Sequence, residues 1–173
     1  MLARLKSLFA GAPVTSATDL DDRMMVRALD LACDAAAIGE VPVGAVDYET
    51  GTGTVLGQGS NRREIDKDPS AHAEHIAILA AASKVESWRL SHCTVVVTLE
   101  PCPMCAGLIV NARLGRVVYG ADDPKAGACR SLFSIADDRR LNHRAEIIAG
   151  VRRDECSALL RSFFKSLRGR SKE

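Results

Sequence analysis

Three short stretches of the sequence carry side chains that bind metals or move protons. The first contains His72 and Glu74, and the second contains Cys102 and Cys105 in the sequence Pro-Cys-Pro-Met-Cys. Asn61 precedes both stretches. One histidine and two cysteines form the ligand set of a catalytic zinc site that leaves a fourth position open for water. These residue types and spacings therefore predict a zinc centre.

A Cys-x-x-Cys pair also occurs in proteins that have no catalytic metal. A thioredoxin-like redox pair belongs to a different strand–helix pattern and usually lacks a matched upstream histidine. A structural zinc site needs further close ligands, whereas Cys129 and Cys156 are isolated in the sequence. Two cysteines can also fill a core as small apolar residues. We favour the catalytic zinc because it accounts for the two cysteines and the histidine together.

Helix N-termini provide the geometry for this centre. Pro103 suits the first turn of a helix, which makes Cys102 the cap and places Cys105 one turn inside. His72 follows Ser70 and is expected in the first turn of the preceding helix. The free N–H groups and the positive dipole end of a helix favour thiolate over thiol. Two thiolates and one neutral imidazole would balance the charge of a zinc dication.

Glu74 lies two residues after His72 and is expected to point away from the metal. Zinc generates a nucleophile from water near neutral pH, and a nearby carboxylate can accept a proton and deliver it to a departing nitrogen. Considered alone, Glu74 would more often be a solvated carboxylate that stabilises the helix dipole. His75 completes neither of the His-Glu motifs of metallopeptidases, so we interpret it as a partly exposed helix residue.

Hydrophobic periodicity predicts the elements that position these residues. Apolar residues at three- and four-residue steps between Leu20 and Ala35 predict a first helix after Thr18 and Asp19. Further helices are expected at 72–85, 103–114 and 154–168, strands at 41–48, 54–58, 93–99, 116–119 and 146–149, and a polar loop at 59–69. The alternation of strands and helices predicts a three-layer α/β/α domain with a mixed five-stranded sheet.

Composition excludes several function classes. Of the 173 residues, 47% are hydrophobic and 26% are charged, which excludes a disordered, collagenous or coiled-coil chain. The longest apolar stretches, such as 76–82, are too short to cross a bilayer, so no membrane partner is expected. A net charge of +1 excludes a uniformly basic surface but allows a local patch. Six cysteines in a chain of this size favour a reducing compartment, and we expect a cytoplasmic protein.

The two ends of the chain differ from its middle. Residues 1–18 contain basic but no acidic residues, and we interpret them as a flexible extension rather than a secretory signal or a transit peptide. Residues 19–168 are the expected zinc-dependent domain, and residues 169–173 are a basic tail. The cations at this end of the chain are Arg161, Lys165, Arg168, Arg170 and Lys172. Such a patch either binds a polyanion or is merely solvated.

The motifs together resemble those of the bacterial tRNA-specific adenosine deaminase family, whose members are zinc-dependent deaminases. The resemblance covers roughly residues 20–168. It rests on the stretches 39–45, 61–62, 68–74, 98–105, 123–128, 142–144 and 163–164. It implies a cytidine-deaminase-like fold, a homodimer, and conversion of the wobble adenosine of an arginine tRNA to inosine, with the anticodon stem-loop as the RNA partner.

The resemblance also implies roles for individual residues. His72, Cys102 and Cys105 would hold one zinc ion per subunit, and Glu74 would carry protons. Asn61 would form a hydrogen bond with the adenine base. The other implied substrate contacts are Asp123, Lys125, Asn142 and Phe164. Phe163 and Phe164 cannot both face the core from one helix, so one of them is expected to be packed and the other to be available for RNA or a partner.

Several positions depart from the family pattern, although none of them is a metal ligand. They are Asp47-Tyr48 in a strand that is usually aliphatic, Val95-Val96, Asp122 and Cys129-Arg130.

Two alternative functions remain open at the level of the sequence. A deaminase of a free nucleobase or nucleotide, such as guanine or cytosine, would use the same metal ligands, but the basic end of the chain favours RNA. A zinc-stabilised RNA-binding subunit without activity would not need Glu74.

Overall fold

The centre of the fold is a five-stranded sheet with helices on both faces. The structure is a computed structural model that describes residues 16–170. Its elements in chain order are α1 (Asp19–Ala37), β1 (Gly44–Glu49), β2 (Val55–Ser60), α2 (Arg63–Asp66), α3 (Ala73–Lys84), β3 (Cys93–Leu99), α4 (Pro103–Asn111), β4 (Arg116–Ala121), β5 (Glu146–Ala149) and α5 (Arg153–Arg170).

The strands follow the order β2-β1-β3-β4-β5. β1 is antiparallel to β2 and β3, whereas β3, β4 and β5 are mutually parallel. One apolar core contains residues of α3 and α4, and a second core on the other face contains residues of α1 and α5. The predicted mixed sheet and three layers are therefore confirmed. Because β2, β3 and β4 run in the same direction, they all end at one edge, which we call the C-terminal edge.

Two glycines allow helices to lie directly on the sheet. A Cβ atom at Gly44 would overlap the carbonyl oxygen of Ala28 in α1. A Cβ atom at Gly57 would likewise overlap the carbonyl oxygen of Ala77 in α3. Any larger residue at Gly57 would move α3 away from β2, and with it the N-terminus that carries the expected site residues.

Some element boundaries differ from the sequence-based expectation. The segment 59–69, expected as a polar loop, contains the end of β2 and the one-turn helix α2. The buried Glu40 carboxylate accepts hydrogen bonds from the N–H groups of Glu64 and Ile65, both at 2.8 Å, and this holds α2 in place. α4 ends at Asn111 rather than at residue 114, because Arg113 adopts a left-handed φ of 58°. β3 and β5 have the predicted bounds.

A buried ionic cluster attaches α1 to the sheet. α1 starts after Thr18, as predicted, and Thr18 and Asp21 form a capping box at its first turn. The Asp21 carboxylate also accepts hydrogen bonds from the Tyr48 hydroxyl at 2.5 Å and from the Arg116 guanidinium at 3.0 and 3.1 Å. Arg116 in turn bonds Glu146 at 3.0 Å. Although burial opposes ionisation, these donors hold the pKa of Asp21 below its usual value.

The two ends of the chain are described only in part. Of the extension expected at 1–18, residues 1–15 lie outside the described residues, as do residues 171–173 of the expected tail. Residues 169 and 170 continue α5. In the part of the chain from 16 to 170, no helix is long and apolar enough to cross a membrane. The six cysteines are all free thiols.

Asp47 is a carboxylic acid in the core between the sheet and α3. It is fully buried in β1, and neither carboxyl oxygen has a well-formed hydrogen bond. The Cys93 thiol of β3, a weak donor, lies beside it. Burial raises the pKa of Asp47 to about 8. The group is therefore mostly protonated at neutral pH.

We predict that Asp47 makes the protein less stable as the pH rises from 4 to 8. Between the ordinary pKa of 3.8 and the folded pKa of about 8, the folded state retains a proton that the unfolded state has lost. The free energy of unfolding therefore falls by up to about 1.4 kcal/mol per pH unit from this group. Asp47→Asn removes this contribution, so urea unfolding at pH 6 and pH 8 should differ less for the variant than for the wild type. Asp34→Asn, an exposed change on α1, is the control, and an equal pH dependence of Asp47→Asn and the wild type would contradict the prediction.

Candidate active site

The residues expected to carry chemistry lie around a pocket at the C-terminal edge of the sheet. The pocket has a volume of about 190 Å³. Its lining residues are Val41, Val43, Asn61, Arg63, His72, Glu74, Leu99, Glu100, Cys102, Asp123 and Ala126. They are distant in sequence but adjacent in space, because β2, β3 and β4 end at this edge and the chain enters β1 from it.

The three expected metal ligands lie together at this pocket. Their ligand atoms all lie within 4.8 Å of one another. His72 Nδ1 is 3.6 Å from Cys102 Sγ and 3.7 Å from Cys105 Sγ. In a tetrahedral zinc site with ordinary bond lengths, a nitrogen ligand and a sulfur ligand are about 3.5 Å apart. The donor set and its spacing therefore fit a tetrahedral metal ion.

Two helix N-termini position these ligands. Cys102 is the N-cap of α4, with Pro103 at the first helical position, as predicted. His72 was expected in the first turn of α3 but lies one position earlier, as its N-cap. Neither side chain makes a capping hydrogen bond to its helix. Both side chains are therefore free to turn toward Cys105, which is buried one turn inside α4.

The cysteine pair is strongly polarised. A hydrogen bond from the Cys105 thiol, and another from His72, lower the pKa of Cys102 to about 4. The same hydrogen bond and burial raise the pKa of Cys105. The bond to Cys102 also raises the pKa of His72. This polarisation favours the thiolate form of Cys102, which is the form of cysteine that binds a metal ion.

Glu74 lies on the wall of the same pocket but not in the ligand cluster. Only 4% of its surface is exposed, and burial raises the pKa of its carboxyl group. It lies within hydrogen-bonding range of the Cys105 thiol. A buried carboxyl with a raised pKa can accept a proton from one group and return it to another. His75, by contrast, is directed away and donates a hydrogen bond from Nδ1 to the Ser70 carbonyl oxygen at 2.8 Å.

Asn61 is held in a fixed orientation on the pocket wall. It is 7% exposed, and its Oδ1 accepts a hydrogen bond from the N–H of Ala73 at 3.1 Å. That bond satisfies one of the free N–H groups at the start of α3. Because a backbone N–H can only donate, the bond also fixes which side of the amide is oxygen. The NH₂ group of Asn61 is then left to donate to a molecule in the pocket.

Three of the expected RNA contacts lie on the β4 side of the pocket. Asp123 lines the pocket, and its Oδ1 accepts hydrogen bonds from the N–H groups of Lys125 and Ala126. Lys125 is exposed and lines a neighbouring groove of about 530 Å³ together with Phe164. Phe164 is 41% exposed, whereas Phe163 is half-buried and meets it edge to face. The groove also contains Leu160, Arg161, Lys165 and Arg168.

Asn142 lies away from both cavities. It is exposed, and its Oδ1 accepts a hydrogen bond from the Arg113 guanidinium at 2.5 Å, beyond the end of α4. Neither the pocket nor the neighbouring groove includes Asn142 among its lining residues. The structure therefore does not bring this residue to the other expected contacts.

Glu100 is a residue whose role sequence reasoning missed. It is buried, and its carboxylate accepts hydrogen bonds from the N–H groups of Asp123, Cys129 and Arg130 at 2.7–3.1 Å. The N–H and hydroxyl of Ser131 also donate to it. Despite burial, these donors lower the pKa of Glu100. The available signal was an acidic residue at the end of an apolar strand, directly before the Pro-Cys motif.

The segment after β4 packs so closely against Glu100 that Gly127 cannot be replaced by a larger residue without a shift. A Cβ atom at Gly127 would overlap a carboxylate oxygen of Glu100. Glu100 follows β3 and therefore ties the segment after β4 to the element that carries Cys102. One buried carboxylate thus sets the position of Asp123 and Ala126 relative to the expected metal ligands.

We predict that Glu100→Gln loosens this side of the pocket. One carboxylate oxygen becomes an NH₂ group, which faces N–H donors and cannot accept from them. The free energy of unfolding should fall by about 2–4 kcal/mol, as measured by urea denaturation. Glu86→Gln, an exposed change between α3 and β3, should leave stability unchanged. If Glu100→Gln were as stable as this control, the role assigned to Glu100 would be wrong.

Comparison with known proteins places the chain in a family. Residues 20–168 match the family model of the MafB19-like deaminases. The chain is 44% identical over 155 residues to the tRNA-specific adenosine deaminase of Haemophilus influenzae, covering 90% of this chain and 89% of that protein. It is 41% identical over 152 residues to the protein of the same name from Bacillus subtilis, covering 88% and 93% respectively.

A solved structure gives the same result for the fold. A structure from work on A-to-I editing by tRNA:A34 deaminases at the wobble position of transfer RNA matches with a TM-score of 0.75 and 36% identity. The match covers 80% of this chain and 99% of that one. The expected cytidine-deaminase-like fold is therefore confirmed. Sequence identity and fold agree that the chain belongs to the MafB19-like deaminases and, among them, to the tRNA-specific adenosine deaminases.

Proposed function

We propose that the protein converts the wobble adenosine of an arginine tRNA to inosine by hydrolytic deamination, with one zinc ion per subunit. The observation that carries the proposal is the buried Glu74 carboxyl beside a His-Cys-Cys cluster, in a pocket of about 190 Å³. That volume suits one purine base rather than a whole nucleotide. The names of its relatives in H. influenzae and B. subtilis supply the RNA class.

The reaction exchanges the amino group of adenine for oxygen. Water adds to C6 of the base, the C6–N6 bond breaks, and ammonia leaves. A zinc ion held by His72, Cys102 and Cys105 would supply Lewis acidity, which makes water a nucleophile at neutral pH. Glu74 accepts the proton that the attacking water releases and delivers it to the departing nitrogen, so its carboxyl group is regenerated in each cycle.

The remaining pocket residues orient the base. The apolar side chains of Val41, Val43 and Leu99 form walls against which a flat ring can pack. The NH₂ group of Asn61 donates to an acceptor on the ring edge. Its fixed orientation, imposed by the hydrogen bond to Ala73, favours a base whose acceptor meets that donor. These contacts place C6 toward the metal ligands and Glu74.

The RNA backbone stays outside the pocket. A base can enter only if its nucleotide is turned out of the stack, which a loop such as the anticodon stem-loop permits. The groove beside the pocket presents Lys125, Arg161, Lys165 and Arg168, which suit phosphates, and Phe164, which suits stacking on a base. This combination favours RNA over a free base as the substrate.

We propose a homodimer in the cytoplasm as the functional form. The helices α3 and α4 are apolar on most sides, and Leu79 and Met104 on them are 53% and 41% exposed. A second copy of the chain would cover such a surface.

We also propose that the chain consists of an extension at 1–18, a catalytic domain at 19–168 and a basic tail at 169–173.

We predict that one variant loses the metal, whereas a second variant keeps the metal and loses only turnover. Cys105→Ala should lose the metal and part of the stability, because one ligand of the ion is removed. Glu74→Gln should keep metal content and thermal stability but lose at least about a thousandfold in turnover, because an amide cannot carry the proton. Metal analysis and single-turnover assays on both variants check this. Cys33→Ala, an exposed change on α1, is the control, and substantial turnover by Glu74→Gln would contradict the role of the carboxyl group.

A substrate comparison tests the proposed function itself. The wild-type enzyme should form inosine at the wobble position of an arginine-tRNA anticodon stem-loop. It should not act on free adenine, guanine, cytosine or their nucleosides, which lack phosphates for the cationic groove. Mass spectrometry of digested RNA and of the free-base reactions measures both activities. Turnover of a free base with an unchanged stem-loop would reject the tRNA substrate and favour a deaminase of free nucleobases.

A further inference from the structure

The mouth of the pocket has two sides that belong to different strands. Asn61 and Arg63 follow β2, whereas Asp123 and Lys125 follow β4. In the order β2-β1-β3-β4, these two strands are three positions apart, which corresponds to about 14 Å. A nucleotide whose base enters between them must pass its backbone across this distance. The cationic groove with Lys125 covers only the β4 side.

Arg63 is the cation on the β2 side. It lines the pocket as the first residue of α2 and is exposed to solvent. The next two residues of α2, Glu64 and Ile65, donate their N–H groups to the buried Glu40 carboxylate at 2.8 Å. The helix is too short to be stable alone, so this buried acceptor fixes the place from which the Arg63 side chain extends.

The guanidinium of Arg63 is available for a ligand. Its neighbour Arg62 forms a two-pronged ion pair with Asp66, with distances of 2.8 and 2.9 Å. The Arg63 side chain forms no hydrogen bond or salt bridge with any residue between 16 and 170. Arg62 is thus neutralised by Asp66 within the same helical turn, whereas the charge of Arg63 remains unpaired at the mouth of the pocket. A planar guanidinium with free N–H groups matches a phosphate with two parallel hydrogen bonds.

We infer that Arg63 binds one of the two RNA phosphates that flank the flipped adenosine, on the side of the pocket opposite Lys125. The inference rests on the proposed function and adds a substrate-binding residue to it. The pocket volume admits the base alone, so the ribose and its phosphates remain at the mouth. With cations on both sides, the backbone is held at two points while the base occupies the pocket. Arg63 would then lower KM without taking part in the chemical step.

The test pairs a protein variant with a modified RNA. Arg63→Gln removes the cation, and an anticodon stem-loop with a neutral methylphosphonate at either flanking position removes one phosphate charge. With the natural stem-loop, Arg63→Gln should raise KM about tenfold, with little change in kcat and a salt slope lower by about one. Arg23→Gln, an exposed change on α1 that lies outside the pocket, should leave all three values unchanged.

The decisive result is whether the effects of Arg63→Gln and of the methylphosphonate on binding depend on each other. At the phosphate that Arg63 contacts, the methylphosphonate should weaken binding to the wild type about tenfold and to Arg63→Gln hardly at all. Equal losses for both proteins at both positions would overturn the inference. Arg63→Lys should recover part of the affinity, since it keeps the charge but not the paired geometry.

Binding measurements separate this inference from the proposed function. Fluorescence anisotropy in a Glu74→Gln background reports Kd without turnover, so the coupling can be measured whether or not the wild type deaminates the stem-loop. Coupling without deamination by the wild type would overturn the proposed reaction and support the phosphate contact. Deamination without coupling would overturn only the contact, and the absence of any stem-loop binding would overturn both.

Discussion

The candidate site depends on one constraint, which is that α3 and α4 begin at the same edge of the sheet. α4 meets this condition because it directly follows β3. α3 meets it because β2 runs parallel to β3 and because Gly57 allows α3 to pack against β2 without a side chain between them. Only then does His72 Nδ1 come within 3.7 Å of both sulfur atoms. The small apolar residues of α3 and the glycine beneath them are therefore as necessary to the ligand cluster as the ligands themselves.

The buried acids of the chain divide according to the donors that surround them. Asp21 and Glu100 accept several hydrogen bonds, their pKa values are lowered, and each joins distant segments as a permanent anion. Glu74 and Asp47 have fewer donors, and burial, which is the larger effect, raises their pKa values. A carboxyl group that must gain and lose a proton cannot be surrounded by donors that favour its charge. Asp47 is likewise buried with few donors, but it does not line the pocket. Its burial therefore lowers the stability of the fold without an evident use.

The features that the sequence predicted correctly are those that depend on residues close together in the chain. The cap at Thr18, the proline start of α4 and the bounds of β3 depend on neighbouring residues, and all agree with the structure. The one-turn helix α2 could not be predicted, because the acceptor that holds it is Glu40, 24 residues earlier in the chain. The position of Glu100 inside a ring of N–H donors was equally hidden, since those donors lie up to 31 residues later. Motif resemblance included both glutamates but gave no physical reason for them.

A chain with a net charge of only +1 can still bind RNA if its charges are unevenly paired. Several arginines are neutralised by nearby acids, including Arg62 by Asp66, Arg140 by Asp138 and Arg152 by Asp22. Among the described residues, the groove cations Lys125, Arg161, Lys165 and Arg168 form no such pairs, and neither does Arg63. Cations that already have partners gain little from a phosphate, because an existing ion pair must first be broken. These five unpaired cations lie on both sides of the pocket of about 190 Å³, so they favour the approach of a polyanion at its mouth.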